Sequence, residues 1–199
     1  MRAPLSAVLL LVGLGACGDA TPASPDASPD ADPNDPRPVV VLSTTKGDLV
    51  VRLEPDAMPI TTANFLAYVD GGWYDGTLIH RVVPDWVIQG GGYTTGLTPK
   101  QTMPPIGLET SPRVPHVHGA ISMARTQDPD SATSQWFIVD WPHDSTGPQR
   151  DLDGQYAAFG NLIEGFDVLD AIVAVPTHAT GSLEDVPVDE ITVTHAARR

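Results

Sequence analysis

Few side chains in this sequence can make or break bonds, and their spacing narrows the choice. The histidines are His80, His116, His118, His143, His178 and His195. His116 and His118 could pair on a metal. No glutamate stands in a zinc-protease arrangement with them, and no cysteine other than Cys17 is available. No metal is expected. A Gly-x-Ser-x-Gly elbow is absent, which argues against a Ser-His-Asp hydrolase. Arg81 carries a guanidinium with several donors in one plane. Taken alone, it reads as a surface arginine in a salt bridge.

The elements that must position such a group begin well into the chain. Residues 1–17 hold an apolar run from Leu5 to Ala16 that ends at Cys17. Twelve residues are too few to span a bilayer as a helix and suit the core of a secretory signal. Leu14-Gly15-Ala16-Cys17 resembles a bacterial lipobox, which implies cleavage before Cys17 and a lipid on its sulfur. The expected location is the bacterial cell envelope, lipid-anchored on the periplasmic side or at the outer membrane. Residues 18–38, GDATPASPDASPDADPNDPRP, contain almost no large apolar side chain. They cannot bury enough surface to fold and read as a spacer.

From Val39 to the end at 199 the composition is that of one folded domain. Of the 199 residues, 41% are hydrophobic, and the net charge is −14. No cluster of Lys or Arg supports binding to nucleic acid. Runs at Val39–Leu42 and Leu49–Leu53 flank the turn Thr45-Lys46-Gly47-Asp48 and predict a hairpin. Pro59 opens a helix that runs to about Asp70, with Phe65, Leu66 and Val69 on one face and Gly71-Gly72 as its stop. Short strands are expected at Leu78–Val83, Val87–Gln89, Ala120–Met123, Trp136–Val139, Ala157–Gly160 and Ile191–Thr194. A second helix is expected near Phe166–Val173. Many short strands with two helices argue for a barrel or sandwich with helical caps.

Residues 77–92, TLIHRVVPDWVIQGGG, resemble the signature of the cyclophilins. Three further blocks resemble the same family in the same order: Gly119–Thr126, Ser131–Ile138 and Leu152–Gly160. The helix from Pro59 to Phe65 and Tyr74-Asp75-Gly76 also match. The resemblance runs from about Val41 to Val193. It implies a mainly β fold, an eight-stranded antiparallel β-barrel capped by two α-helices. It also implies peptidyl-prolyl cis-trans isomerase activity, without a cofactor, on proline-containing polypeptides. A monomer is the default expectation.

The chemistry of that reaction suits these residues. An X-Pro bond resists rotation by roughly 18–20 kcal/mol, while cis and trans differ by only about 0.5–1 kcal/mol. A catalyst must favour the twisted amide over both planar forms. The prolyl nitrogen becomes pyramidal on twisting and gains acceptor character, so a cationic donor fixed there lowers the barrier. By resemblance Arg81 holds the catalytic position. Trp86, Val87, Phe137 and Leu152 match pocket-lining positions. Gln89 and Gln135 match polar positions that hold the substrate backbone and orient the arginine. The Arg125 backbone matches a position that pairs with substrate as an added strand. Tyr156 stands where a histidine is common and can cover the pocket's edge. His80 is assigned a structural role in the wall.

Several positions depart from the family. Trp86 stands where Phe is usual, and its size could narrow the pocket. Asp151 replaces an aromatic that contacts cyclosporin in sensitive members, which implies weak inhibition. The segment 140–151 is long and reads as a plain loop or as a bias on substrate entry. The competing reading is a proline-binding adaptor or chaperone with weak or no catalysis. The presence of Arg81, Gln89 and Phe137 favours the enzyme.

Overall fold

The computed structural model describes residues 36–141 and 152–199. Cys17, most of the expected spacer and Asp151 lie outside the described residues. Strand β1 (Val39–Thr44) turns through Thr45-Lys46 into β2 (Gly47–Leu53), with Thr44 opposite Gly47. The Thr44 hydroxyl bridges this tight turn by donating to the Gly47 carbonyl at 2.7 Å. Helix α1 (Pro59–Asp70) follows, then β3 (Thr77–Val83) and β4 (Val87–Thr94). A two-residue β5 (Thr98–Pro99) extends the edge of β4. Next come β6 (Ala120–Met123), β7 (Trp136–Val139) and β8 (Ala157–Glu164). Helix α2 (Phe166–Val173), a hairpin of β9 (Thr177–Thr180) and β10 (Leu183–Pro187), and β11 (Ile191–Arg198) complete the chain.

The strands pair in the order β3-β11-β1-β2-β8-β6-β7-β4, and β4 pairs back onto β3. Eight antiparallel strands therefore close a barrel, which among the described residues leaves this sheet no free edge but the short extension at β5. The two helices pack against this barrel, as the resemblance implied. The β9–β10 hairpin was not expected. Its signal was present in Gly181-Ser182, a two-residue turn between short polar runs.

Alternation along the strands separates two faces. Val82, Ile88, Ile138 and Ile121 stand opposite one another on β3, β4, β7 and β6, and each is fully buried in the barrel. The neighbouring row is Arg81, Gln89, Phe137 and Ser122. Because side chains alternate in a strand, this second row faces outward. Trp136 and Phe159 fill the barrel core, while Phe137 and Val87 belong to a smaller outer cluster with Trp141 and Leu152.

Helix α1 buries Phe65, Leu66, Tyr68 and Val69, together with Thr61, Thr62 and Asn64. More of its surface is covered than its apolar face alone suggested. It ends in a Schellman arrangement: Trp73 N–H reaches the Tyr68 carbonyl and Gly72 N–H reaches that of Val69, both at 2.9 Å. Gly72 supplies the required left-handed backbone, φ 62°. The Trp73 ring then packs edge-on against Tyr68 at 4.9 Å. At the other end Met58 offers no side-chain cap. Glu109, far along the chain, accepts from the N–H groups of Ile60 and Thr61 instead. Among the described residues no helix is long and apolar enough to cross a membrane.

Candidate active site

The outward row sets the site. Arg81 on β3 stands opposite Gln89 on β4, and Gln89 stands opposite Phe137 on β7. A polar group thus separates a cation from an aromatic ring at successive strand spacings of about 4.7–4.9 Å. These residues border a cavity of about 190 Å³. Trp86, Val87, Leu152, Tyr156 and Arg125 complete its walls, with Ala124. Eight of the nine residues expected to contact or act on substrate therefore meet at one cavity. The ninth, Gln135, faces an adjoining groove and accepts a hydrogen bond from Gln89 Nε2 at 2.9 Å.

Phe137, Val87 and Leu152 are buried and apolar, so water in this cavity gains little from its lining. The Tyr156 ring meets Phe137 edge-on at 5.7 Å. Arg125 stacks its guanidinium over Tyr156 at 4.5 Å and donates to the Gln155 and Thr126 carbonyls. Its side chain thereby holds the rim in place. Trp86 does not fill the cavity. It stands at the wall, half-exposed, with the Arg81 guanidinium 4.9 Å from its ring centroid. Asp140 fixes that turn: its carboxylate accepts from Asp85 N–H at 3.0 Å, and its own N–H donates to the Trp86 carbonyl at 2.8 Å. Burial raises the Asp140 carboxyl pKa from its ordinary value, opposed in part by the bond from Asp85 N–H.

The glycines after Gln89 serve their neighbours. Gly91 has φ 79°, and a Cβ there would lie 2.9 Å from both Trp136 and Tyr74. A Cβ at Gly92 would lie 2.5 Å from the Gln135 side chain. The loop ahead of β7 is held by Ser134 Oγ on the Gly91 carbonyl, Tyr74 on the Ser134 carbonyl and Asn64 on the Thr133 carbonyl.

His80 is 4% exposed and packs edge-on against Tyr93 at 4.7 Å. Burial pushes its pKa down to about 4, and a hydrogen bond to the Leu78 backbone only partly opposes this. A neutral imidazole in the wall results. His116 and His118 do not converge on a metal site. His116 is 2% exposed, with Nδ1 2.7 Å from Asp153 and Nε2 3.0 Å from the Ser122 hydroxyl. His118 accepts from Trp141 N–H and stacks on Phe166 at 5.5 Å. Burial lowers the His116 pKa, opposed in part by Asp153.

Two groups near the site were missed in the sequence. His116 stacks on Phe137 at 6.0 Å and, through Asp153, ties down the Leu152–Tyr156 turn. Only the spacing of Asp153 beside Leu152 hinted at this. Asp185 of β10 lies 3.7 Å from Arg81 Nε, and nothing local marked it.

Known proteins share the sequence pattern and the fold. The family model described as cyclophilin type peptidyl-prolyl cis-trans isomerase/CLD matches residues 39–198. A peptidyl-prolyl cis-trans isomerase of Acinetobacter baylyi is 41% identical over 149 residues, covering 75% of this chain and 79% of its own. Another, from Streptomyces antibioticus, is 41% identical over 162 residues, covering 79% of this chain and 96% of its own. The crystal structure of a Cryptosporidium parvum cyclophilin type peptidyl-prolyl cis-trans isomerase superposes with a TM-score of 0.67. It is 28% identical and covers 82% of this chain and 98% of its own. The chain belongs to the cyclophilin-type family and is a peptidyl-prolyl cis-trans isomerase.

Proposed function

We propose that this isomerase seats the proline ring against Phe137, Val87 and Leu152 and uses Arg81 to stabilise the twisted amide. The carrying observation is the strand register that sets Arg81 and Phe137 on either side of Gln89 around one cavity. Burying the ring there fixes the imide bond at the cavity mouth. Its nitrogen then faces the guanidinium side, where a donor strengthens as the lone pair localises. Gln89, itself bonded to Gln135, is placed to accept from Arg81 or to hold the substrate backbone. No nucleophile or proton transfer is required, consistent with a neutral His80.

An Ala-Pro peptide titrated into labelled protein should shift the amide signals of Arg81, Gln89, Phe137 and Leu152. Shifts confined to another face of the barrel would displace this reading.

The clients proposed are envelope or secreted chains whose folding waits on X-Pro bonds. Support comes from Leu14-Gly15-Ala16-Cys17 and from the acidic, Pro-rich stretch behind it. A lipid on Cys17 would hold the barrel near a membrane surface. Lipid labelling in a bacterial host should mark the natural chain and not Cys17→Ser. Equal labelling of both, or of neither, would remove the anchor.

A further inference from the structure

The proline cavity does not end at Arg81. Beyond it lies a second groove of about 300 Å³, which shares Arg81 and Gln89 with the first. Its far wall is the β9–β10 hairpin, through Ser182, Leu183 and Glu184. A polypeptide whose proline ring sits against Phe137 and whose backbone passes Arg81 is led towards this wall, because the two cavities share Arg81 and Gln89.

The hairpin is bulged where it faces the groove. Leu183 pairs with Thr180 but Val186 pairs with His178, so three steps on β10 match two on β9. Asp185, inside the bulge, adopts the left-handed region with φ 58°. Bulges of this kind re-aim side chains. Here the Asp185 carboxylate reaches to 3.7 Å from Arg81 Nε and offsets its charge. Glu184 lines the groove, exposed, with no ion pair among the described residues. Polar Gln135 and Tyr93 form the opposite side. With Arg81 already answered by Asp185, the uncompensated charge in this groove is negative.

We infer that this groove is a second substrate subsite, which takes a Lys or Arg side chain lying within three residues of the isomerised bond. It rests on the substrate path proposed above. Glu184 supplies the charge, and polar Gln135 and the Tyr93 ring line the rest of the groove. Such a subsite would give the enzyme a preference that the proline cavity, being apolar, cannot express.

The test uses a set of X-Pro peptides that carry one Lys, Gln or Glu at each of the three positions on either side of the dipeptide. Exchange is measured by NMR without a coupling protease. At one position the Lys peptide should exceed its Glu counterpart in kcat/KM by roughly five-fold, as expected for an exposed pair switched from attraction to repulsion. The ratio should shrink in high salt. Glu184→Gln should bring it near one, and Glu184→Lys should invert it. Glu184 is exposed, so these variants should fold, which amide spectra would verify. Asp48→Lys changes net charge equally on β2, three strands from β3 around the barrel, and should leave the ratio as it was. A ratio that ignores Glu184→Lys, or that Asp48→Lys moves equally, overturns the subsite. Exchange that is charge-blind yet sensitive to Arg81 would sink the subsite alone. Exchange absent from every peptide would sink the substrate path and the subsite with it.

Discussion

The Arg81 guanidinium lies 4.9 Å from the centroid of the Trp86 ring, so the indole also braces the proposed catalytic cation. Trp86 is half-exposed, and such a contact contributes about 0.5–1 kcal/mol. Trp86→Ala should therefore lower kcat/KM by roughly two- to five-fold, as tenfold corresponds to about 1.4 kcal/mol. Trp86→Phe should lose less. A larger loss in the Phe variant would mean that the indole meets substrate directly.

Asp185 also approaches Arg81, at 3.7 Å from Nε. Asp185→Asn should leave the fold intact and lower kcat more than it raises KM, because it loosens the cation rather than the proline cavity. The expected loss is about two- to five-fold, in keeping with a partly exposed pair. A kcat that does not change would assign Asp185 to hairpin structure alone.

Gly92 makes room for Gln135. Gly92→Ala would place a methyl 2.5 Å from that side chain and drive it out of its bond to Gln89. The displaced amide is exposed on one side, so the cost in stability should be about 1 kcal/mol or less. The cost in turnover should be several-fold. Unaltered turnover would show that the Gln89–Gln135 pair does not orient the site.

His80 links acidity to stability. Its folded pKa is about 4, below the ordinary 6.5, so the unfolded chain takes a proton that the folded chain refuses. Stability is complete above about pH 6.5 and falls as pH drops towards 4, by on the order of 3 kcal/mol. Urea midpoints at pH 7 and 4.5 should differ for the natural chain. His80→Asn should flatten that difference. The same downward shift at His116 adds to the trend. An equal slope in His80→Asn would place the acid sensitivity elsewhere.

Much of this was legible in the sequence, for physical reasons. The expected strands contain Val82, Ile88, Ile121 and Ile138, which the structure sets in one buried row, and the neighbouring position on each puts Arg81, Gln89 and Phe137 outside together. Barrel closure was not legible from periodicity, because β3 pairs with both β4 and β11, and no local pattern states a partner so distant. It came from resemblance. Strand ends were also underestimated: β4 runs to Thr94 and β11 to Arg198, beyond the runs that marked them in the sequence. Ladder bonds there are set by the neighbouring strand and not by hydrophobicity. Glu109 at the start of α1 and Asp185 beside Arg81 share that origin. Each acts across a long stretch of chain, so neither leaves a trace in the residues around it.

The decisive measurement is kcat/KM for an Ala-Pro peptide, by NMR exchange, for the natural chain and Arg81→Ala, with both shown to be folded. Loss of a donor aimed at developing charge costs roughly 10²- to 10³-fold, and that is the expected decrease. Activity within about two-fold of the natural chain, far below the roughly 3–4 kcal/mol such a donor supplies, would contradict the role given to Arg81.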